Sequence, residues 1–124
     1  MTGKEVYKNA LALLFEDEAA AGDYNTYALP LLNMLLPELL GVNNQLRVLR
    51  GKEPLDTAPV LKTLDAPLEY EPELCRAALP FGLASRLVYD DNDLQKVAYF
   101  NSAYVNAVNA LSQTRPEPVK DVYL

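Results

Sequence analysis

Along most of the chain, apolar residues recur every three or four positions, the period of a helix with one buried face. The first such stretch runs from about Gly3 to Phe15, with Val6, Ala10, Leu13 and Leu14 on one side. Thr2 and Glu5 form a T-x-x-E capping box at its start, able to satisfy two of the free N–H groups there. The acidic run Glu16-Asp17-Glu18 opposes the helix dipole and weakens the far end. The second stretch is the clearest. Leu32, Leu35, Leu39, Val42, Leu46 and Leu49 are spaced 3, 4, 3, 4, 3, with Asp23 or Asn25 available as a cap and Gly51 and Pro54 as stops. Pro30 and Pro37 interrupt it, each removing a helix hydrogen bond. This predicts one long kinked helix from Tyr24 to Arg50, or two helices broken near Pro37 or Gly41.

A third helix is predicted from Pro72 to Tyr89, with Leu74, Ala77, Ala78, Phe81, Ala84, Leu87 and Val88 as its buried stripe. Pro80 and Gly82, in its middle, are the candidate structural kink. Asp90-Asp91-Asn92 make a turn, and Asp93 caps a fourth helix from Leu94 to Gln113. The stripe of that helix reads as Leu94, Val97, Ala98, Tyr104, Val105, Val108 and Leu111. Between the second and third helices, Pro54, Pro59, Pro67 and Pro72 forbid a long helix. Gly51 to Pro72 reads as a folded-over excursion with room for a short β-hairpin, and its length hints at function or at packing on a partner. The fold class is therefore all-α: a bundle of three to four helices over residues 1–113, followed by an extended tail over 114–124.

Composition narrows the chemistry. The chain has 124 residues, half of them apolar, and a net charge of −6. That is a single-domain length, and the acidity argues against a nucleic-acid footprint. There is no histidine and one cysteine, Cys75. His-based catalysis, His ligation and an intrachain disulfide are thereby excluded. The fifteen residues from Ala28 to Val42 are the most apolar run, too short to span a bilayer and interrupted by Asn33, Glu38 and two prolines. No targeting segment is evident at the start, and a soluble protein made in the cytoplasm is expected.

Each candidate for chemistry has a plainer explanation. The acidic turn at Asp90–Asp93 lacks the glycine and terminal glutamate of a calcium loop and reads as a solvated turn with a capping Asp. Glu69, Glu71 and Glu73 read as a charge bias at a helix start rather than paired catalytic carboxylates. Cys75 has no histidine to act as its base and reads as a buried thiol. Arg47, Arg50 and Lys52 suit the negative end of a helix dipole. The leucine seam at Leu32–Leu49 reads as intramolecular core rather than an oligomer interface. Among eight tyrosines, Tyr24, Tyr27, Tyr89, Tyr99 and Tyr123 are the ones expected at a surface. No catalytic, cofactor or metal site emerges, and a protein that works by contact is expected.

One pattern is more specific. Ala78-Leu79-Pro80-Phe81-Gly82-Leu83-Ala84-Ser85-Arg86-Leu87, the acidic turn, and Tyr99-Phe100 with Tyr104 together resemble the head–tail connector (adaptor, head-completion) proteins of tailed bacteriophages. Leu31-Leu32-Asn33 and Val42-Asn43-Asn44-Gln45-Leu46-Arg47 add to the resemblance. It is best over residues 70–110, fair over 29–54, and implies a non-enzymatic virion protein without cofactors. Such a protein forms a ring, typically dodecameric, beneath the portal protein; it extends the DNA channel and docks the downstream tail or stopper protein. DNA would pass without specific binding, since an acidic lining repels phosphates. The expected location is the head–tail interface of the virion, and the host cytoplasm during assembly, with no membrane. The resemblance makes the excursion and the tail into contact arms, with Pro116, Pro118, Val119, Val122, Tyr123 and Leu124 as candidate partner-contact residues. The rival from another class is a small acidic regulatory module, antitoxin- or anti-repressor-like, that binds a basic protein. Its charge fits equally well; the kinked third helix and the long excursion remain unexplained by it.

Overall fold

The computed structural model describes residues 1–114. It is all-α among those residues: α1 (Gly3–Leu13), α2 (Asp23–Leu35), α3 (Leu40–Leu49), α4 (Leu79–Leu87) and α5 (Leu94–Ser112). The capping box at α1 is formed as expected, with Thr2 Oγ1 accepting from Glu5 N–H and the Glu5 carboxylate accepting from Thr2 N–H. No helix among them is long and apolar enough to cross a membrane.

The leucine seam lies in the core. Leu32, Leu35, Leu39 and Leu46 are buried and Val42 packs against them, whereas Leu49, the last residue of the seam, is half-buried. The column that carries it is not one helix. At Pro37 the backbone tightens into a 3₁₀ turn over Leu36–Leu39 that joins α2 to α3, the break at Pro37 that the sequence left open. There Leu40 N–H donates to Pro37 O, so Leu36 O loses its α-helical partner. Tyr70 Oη donates to that carbonyl, which repairs the break from inside the core.

The third helix is irregular, but not where Gly82 suggested. A π turn over Leu74–Ala78 precedes α4, with Leu79 N–H reaching back to Leu74 O, and Pro80 follows in the first turn of α4. Because Pro80 has no N–H to give, the widened turn ahead of it accommodates the missing bond. Gly82 lies within α4 and serves close packing instead. A Cβ there would come within 2.8 Å of the Tyr104 ring and 3.1 Å of Leu35 Cδ2. α4 is the central element, packed against α1, α2 and α5.

The Gly51–Pro72 excursion forms no hairpin. Its one β-type bridge is an isolated antiparallel pairing of Thr2 with Pro67. With a proline every few residues, the segment cannot supply the donors a ladder needs. Nor is it a free arm: Leu61, Leu68 and Tyr70 are buried in the core. Asparagine side chains hold it as a strap. Asn33 takes Leu61 N–H and gives to Leu61 O, both at 2.9 Å. Asn44 does the same with Leu55 at 2.8 and 2.9 Å. Each amide thus presents a donor and an acceptor to one residue, as a neighbouring strand would. Farther on, Leu64 O and Ala66 O accept from Lys4 N–H and Gly3 N–H, so the strap caps the start of α1.

Candidate interaction surface

The two charged groups that the sequence offered separately are one structure. The buried Glu71 carboxylate, only 2% exposed, meets Arg50 Nη1 at 2.6 Å, Lys52 Nζ at 3.1 Å and Arg47 Nη1 at 3.6 Å. Asn43 Oδ1 accepts the Glu71 backbone N–H at 2.7 Å. Burial alone would raise the Glu71 pKa, but the hydrogen bonds from Arg50 and Lys52 hold it below the ordinary carboxylate range. A carboxylate so held is a structural anion that fastens the end of the strap to α3. Cys75 is buried beside it, its thiol pushed up to about 11 by burial, as expected of an inert thiol. Among the described residues, no group of three or more His, Cys, Asp or Glu side chains is placed to hold a metal. The Asp90–Asp93 turn is the solvated cap that the sequence indicated. Asn92 takes the left-handed conformation, and Asp93 Oδ1 accepts from Lys96 N–H at 3.1 Å.

The unusual chemistry is on the outside. α5 buries only Phe100 and Tyr104 fully. Its predicted stripe therefore needs correction: Leu94 is 71% and Val105 44% exposed, and Ala98 also faces solvent. Ala77 of the preceding stripe also faces solvent, while Leu79 and Leu83 fill the core. A turn of about 100° per residue puts Phe100, Tyr104, Val108 and Leu111 on the core side of α5. Leu94, Ala98 and Val105 then fall on one flank, with Lys96 and Tyr99 on the other.

On the first flank, α2 and α5 wall a groove over the end of α4. Leu31, Tyr89, Leu94, Val97 and Ala98 line it, with Ser85, Arg86 and Asn101 as its polar members. It continues past the exposed Tyr89 ring to Tyr24 and Tyr27. Tyr27 and Tyr89 are exposed, as expected, whereas Tyr24 is half-buried and donates to Asp91 Oδ2. On the second flank, Leu13, Phe15, Phe81 and Tyr99 surround an aromatic hollow beside Lys96.

Phe15 stands out on that side. It is 95% exposed with φ +58°. α1 ends there in a Schellman cap, with Phe15 N–H on Ala12 O and Glu16 N–H on Leu11 O. α3 ends in the same way, with Gly51 N–H on Val48 O and Lys52 N–H on Arg47 O. There the left-handed residue is Gly51, at φ +75°. Phenylalanine in place of glycine costs about 1 kcal/mol and gains no burial in return. Sequence periodicity could not single out Phe15, because it continues an apolar run. The signal available was its position just past the helix end, where glycine is usual.

Of the residues singled out from sequence, Pro80 and Gly82 are placed in α4 as described, whereas Pro116, Pro118, Val119, Val122, Tyr123 and Leu124 lie outside the described residues. Fold and surface together define a small all-α bundle that carries unpartnered apolar faces. No protein-family model matches the chain, and comparison with curated proteins and with solved structures gave no significant match.

Proposed function

We propose that this chain is a structural assembly protein, a head–tail connector subunit that forms a ring beneath a portal and docks the next tail component. One observation carries the reading: the two flanks of α5 bear apolar surfaces of unlike shape, a groove and an aromatic hollow beside a protruding phenylalanine. A ring subunit meets its neighbours through heterologous contacts, to which one of these flanks would contribute one side. A connector must in addition touch a protein other than itself. Contiguous exposed apolar surface is what protein–protein contact sites present. The net charge of −6 suits a channel through which DNA slides without sticking.

The test is a tagged pull-down from the producing cells with the bound proteins identified by mass spectrometry. Recovery of a portal protein or of finished particles is expected, and electron microscopy of the ring would follow. Recovery of a toxin, a repressor or another basic cellular protein without any virion component would overturn the connector reading in favour of a regulatory module.

A further inference from the structure

We propose that the groove between α2 and α5 binds an amphipathic helix of another protein, with an apolar face and cationic flanks. Its shape suggests a helix. α2 and α5 both pack on α4; Leu31 lines the groove together with Leu94, Ala98 and Asn101, and the adjoining hollow along Tyr24 and Tyr27 is closed by Arg86, Tyr89 and Asp90. Leu94, Ala98 and Asn101 are positions i, i+4 and i+7, so the α5 wall is about 10 Å long. That length accepts about two turns of a third helix laid on α4, the helix-in-groove mode of recognition. The groove is open and apolar, with few polar groups converging on any point inside it, unlike a small-molecule site.

Charge selects the occupant. Asp90, Asp91 and Asp93 rim the Tyr89–Leu94 end, and none of them forms an ion pair among the described residues. The one cation lining the groove among the described residues, Arg86, is already bound to Glu38 at 2.5 Å. Lys96 projects from the opposite flank of α5. Among the described residues the rim is therefore anionic without compensation, and an occupant that brings Lys or Arg is favoured over a neutral or acidic one. A second copy of this chain is the wrong occupant by the same test. The most exposed large apolar side chain among its described residues, Phe15, is followed directly by Glu16, Asp17 and Glu18, which would meet the aspartates of the rim. The groove is thus assigned to a foreign partner, which leaves the Phe15 flank for contacts between copies. This assignment stands whether or not a ring forms.

The probe is a synthetic amphipathic peptide of about 18 residues made of Leu and Lys, titrated into the full chain and followed by amide chemical-shift mapping. Two control peptides keep the same length: one replaces Lys with Glu, the other scrambles the Leu positions. The Leu/Lys peptide is expected to shift Leu31, Tyr89, Leu94, Ala98 and Asn101, and the controls to leave them unmoved. Ala98→Glu is a helix-compatible change on an exposed position and should weaken binding by about tenfold or more. Asp90→Asn should weaken it about two- to threefold and flatten its salt dependence, whereas Asp56→Asn, in the strap, should do neither. Leu94→Ser is the second groove variant should Ala98→Glu lose helical circular dichroism. Shifts spread over every acidic residue, equal binding of the Glu peptide, or an unchanged affinity in both groove variants would each overturn the proposal. So would concentration-dependent shifts at the groove in the protein alone, which would make a second copy the occupant.

Discussion

Replacing Glu71 by Gln tests whether the strap is fastened by charge. The substitution keeps the volume and the backbone contact to Asn43, and removes only the negative charge that three cations share. Breaking a fully buried ion pair costs about 3–5 kcal/mol, because the surviving charge stays buried. Here the survivors have other options. Arg50 and Lys52 are 40% and 48% exposed and can return to water, and Arg50 keeps Glu73. Arg47, at 19% exposure, keeps the carbonyl of Glu53 at 2.6 Å. The expected loss is therefore nearer 2 kcal/mol, or a fall in Tm of roughly 8 °C for a domain of this size. Urea unfolding at neutral pH, with an unchanged m-value, measures it. The pH dependence then separates charge from packing. Because the folded-state pKa of Glu71 is lowered, its contribution is present above the unfolded pKa of about 4.3 and fades as pH falls through the lower folded value. The gap between the wild-type chain and Glu71→Gln should narrow steadily as the solution is acidified below that range. A gap that is the same at neutral pH and at the most acidic pH the fold survives would refute the electrostatic account.

Phe15→Gly should raise the stability of the isolated chain by up to about 1 kcal/mol, since it relieves a left-handed phenylalanine that buries nothing, yet weaken assembly. A loss of thermal stability would show that the ring does structural work. Gly82→Ala sets a helix-propensity gain of about 1 kcal/mol against overpacking of about 1–3 kcal/mol. Because the Tyr104 ring is pinned by its hydroxyl to Glu38 Oε1 at 3.0 Å, a net loss in the urea midpoint is expected; a gain would mean that the ring yields freely. Tyr7 and Tyr70 have pKa values pushed up to about 12, chiefly by burial. Their contribution is complete below the unfolded pKa of about 10 and is lost as pH rises toward 12. A urea midpoint that does not move between those limits would contradict their burial.

Local rules made part of this fold readable in advance. The capping box at Thr2 and Glu5, the leucine seam and the Asp93 cap each depend on residues a turn or two apart, and each is present. The two ends of the Glu71 cluster are far apart in sequence, so Arg47, Arg50 and Lys52 looked like dipole partners and Glu71 like a helix-start charge. Only the folding back of the strap brings them together. The stripe of α5 was misjudged for a related reason. A helix that packs along one narrow line has apolar residues to spare, and periodicity cannot tell the buried set from the set left for a partner. Phe100 and Tyr104 are buried and Val108 packs against the core, whereas Leu94 and Val105 stay exposed.

The strap decides which faces remain bare. Its backbone polar groups cannot be left unsatisfied against a core, and its prolines deny it a sheet. Asn33 and Asn44 project from α2 and α3 and hold Leu61 and Leu55 on that side of the bundle. Glu71 and the start of α1 fix the other end. Every one of these fastenings lies away from the two flanks of α5. Had the strap crossed the α2–α5 groove instead, its Val60, now 75% exposed, could have covered Leu94, and the chain would have closed its own surface. The asparagines therefore do more than stabilise an irregular segment. By committing it to α2 and α3, they keep it off both flanks of α5. A chain with Asn33 and Asn44 both changed to Ala should consequently lose protection from hydrogen exchange in the strap first. If the strap stayed protected while the helices opened, its leucines rather than the amides would be holding it in place.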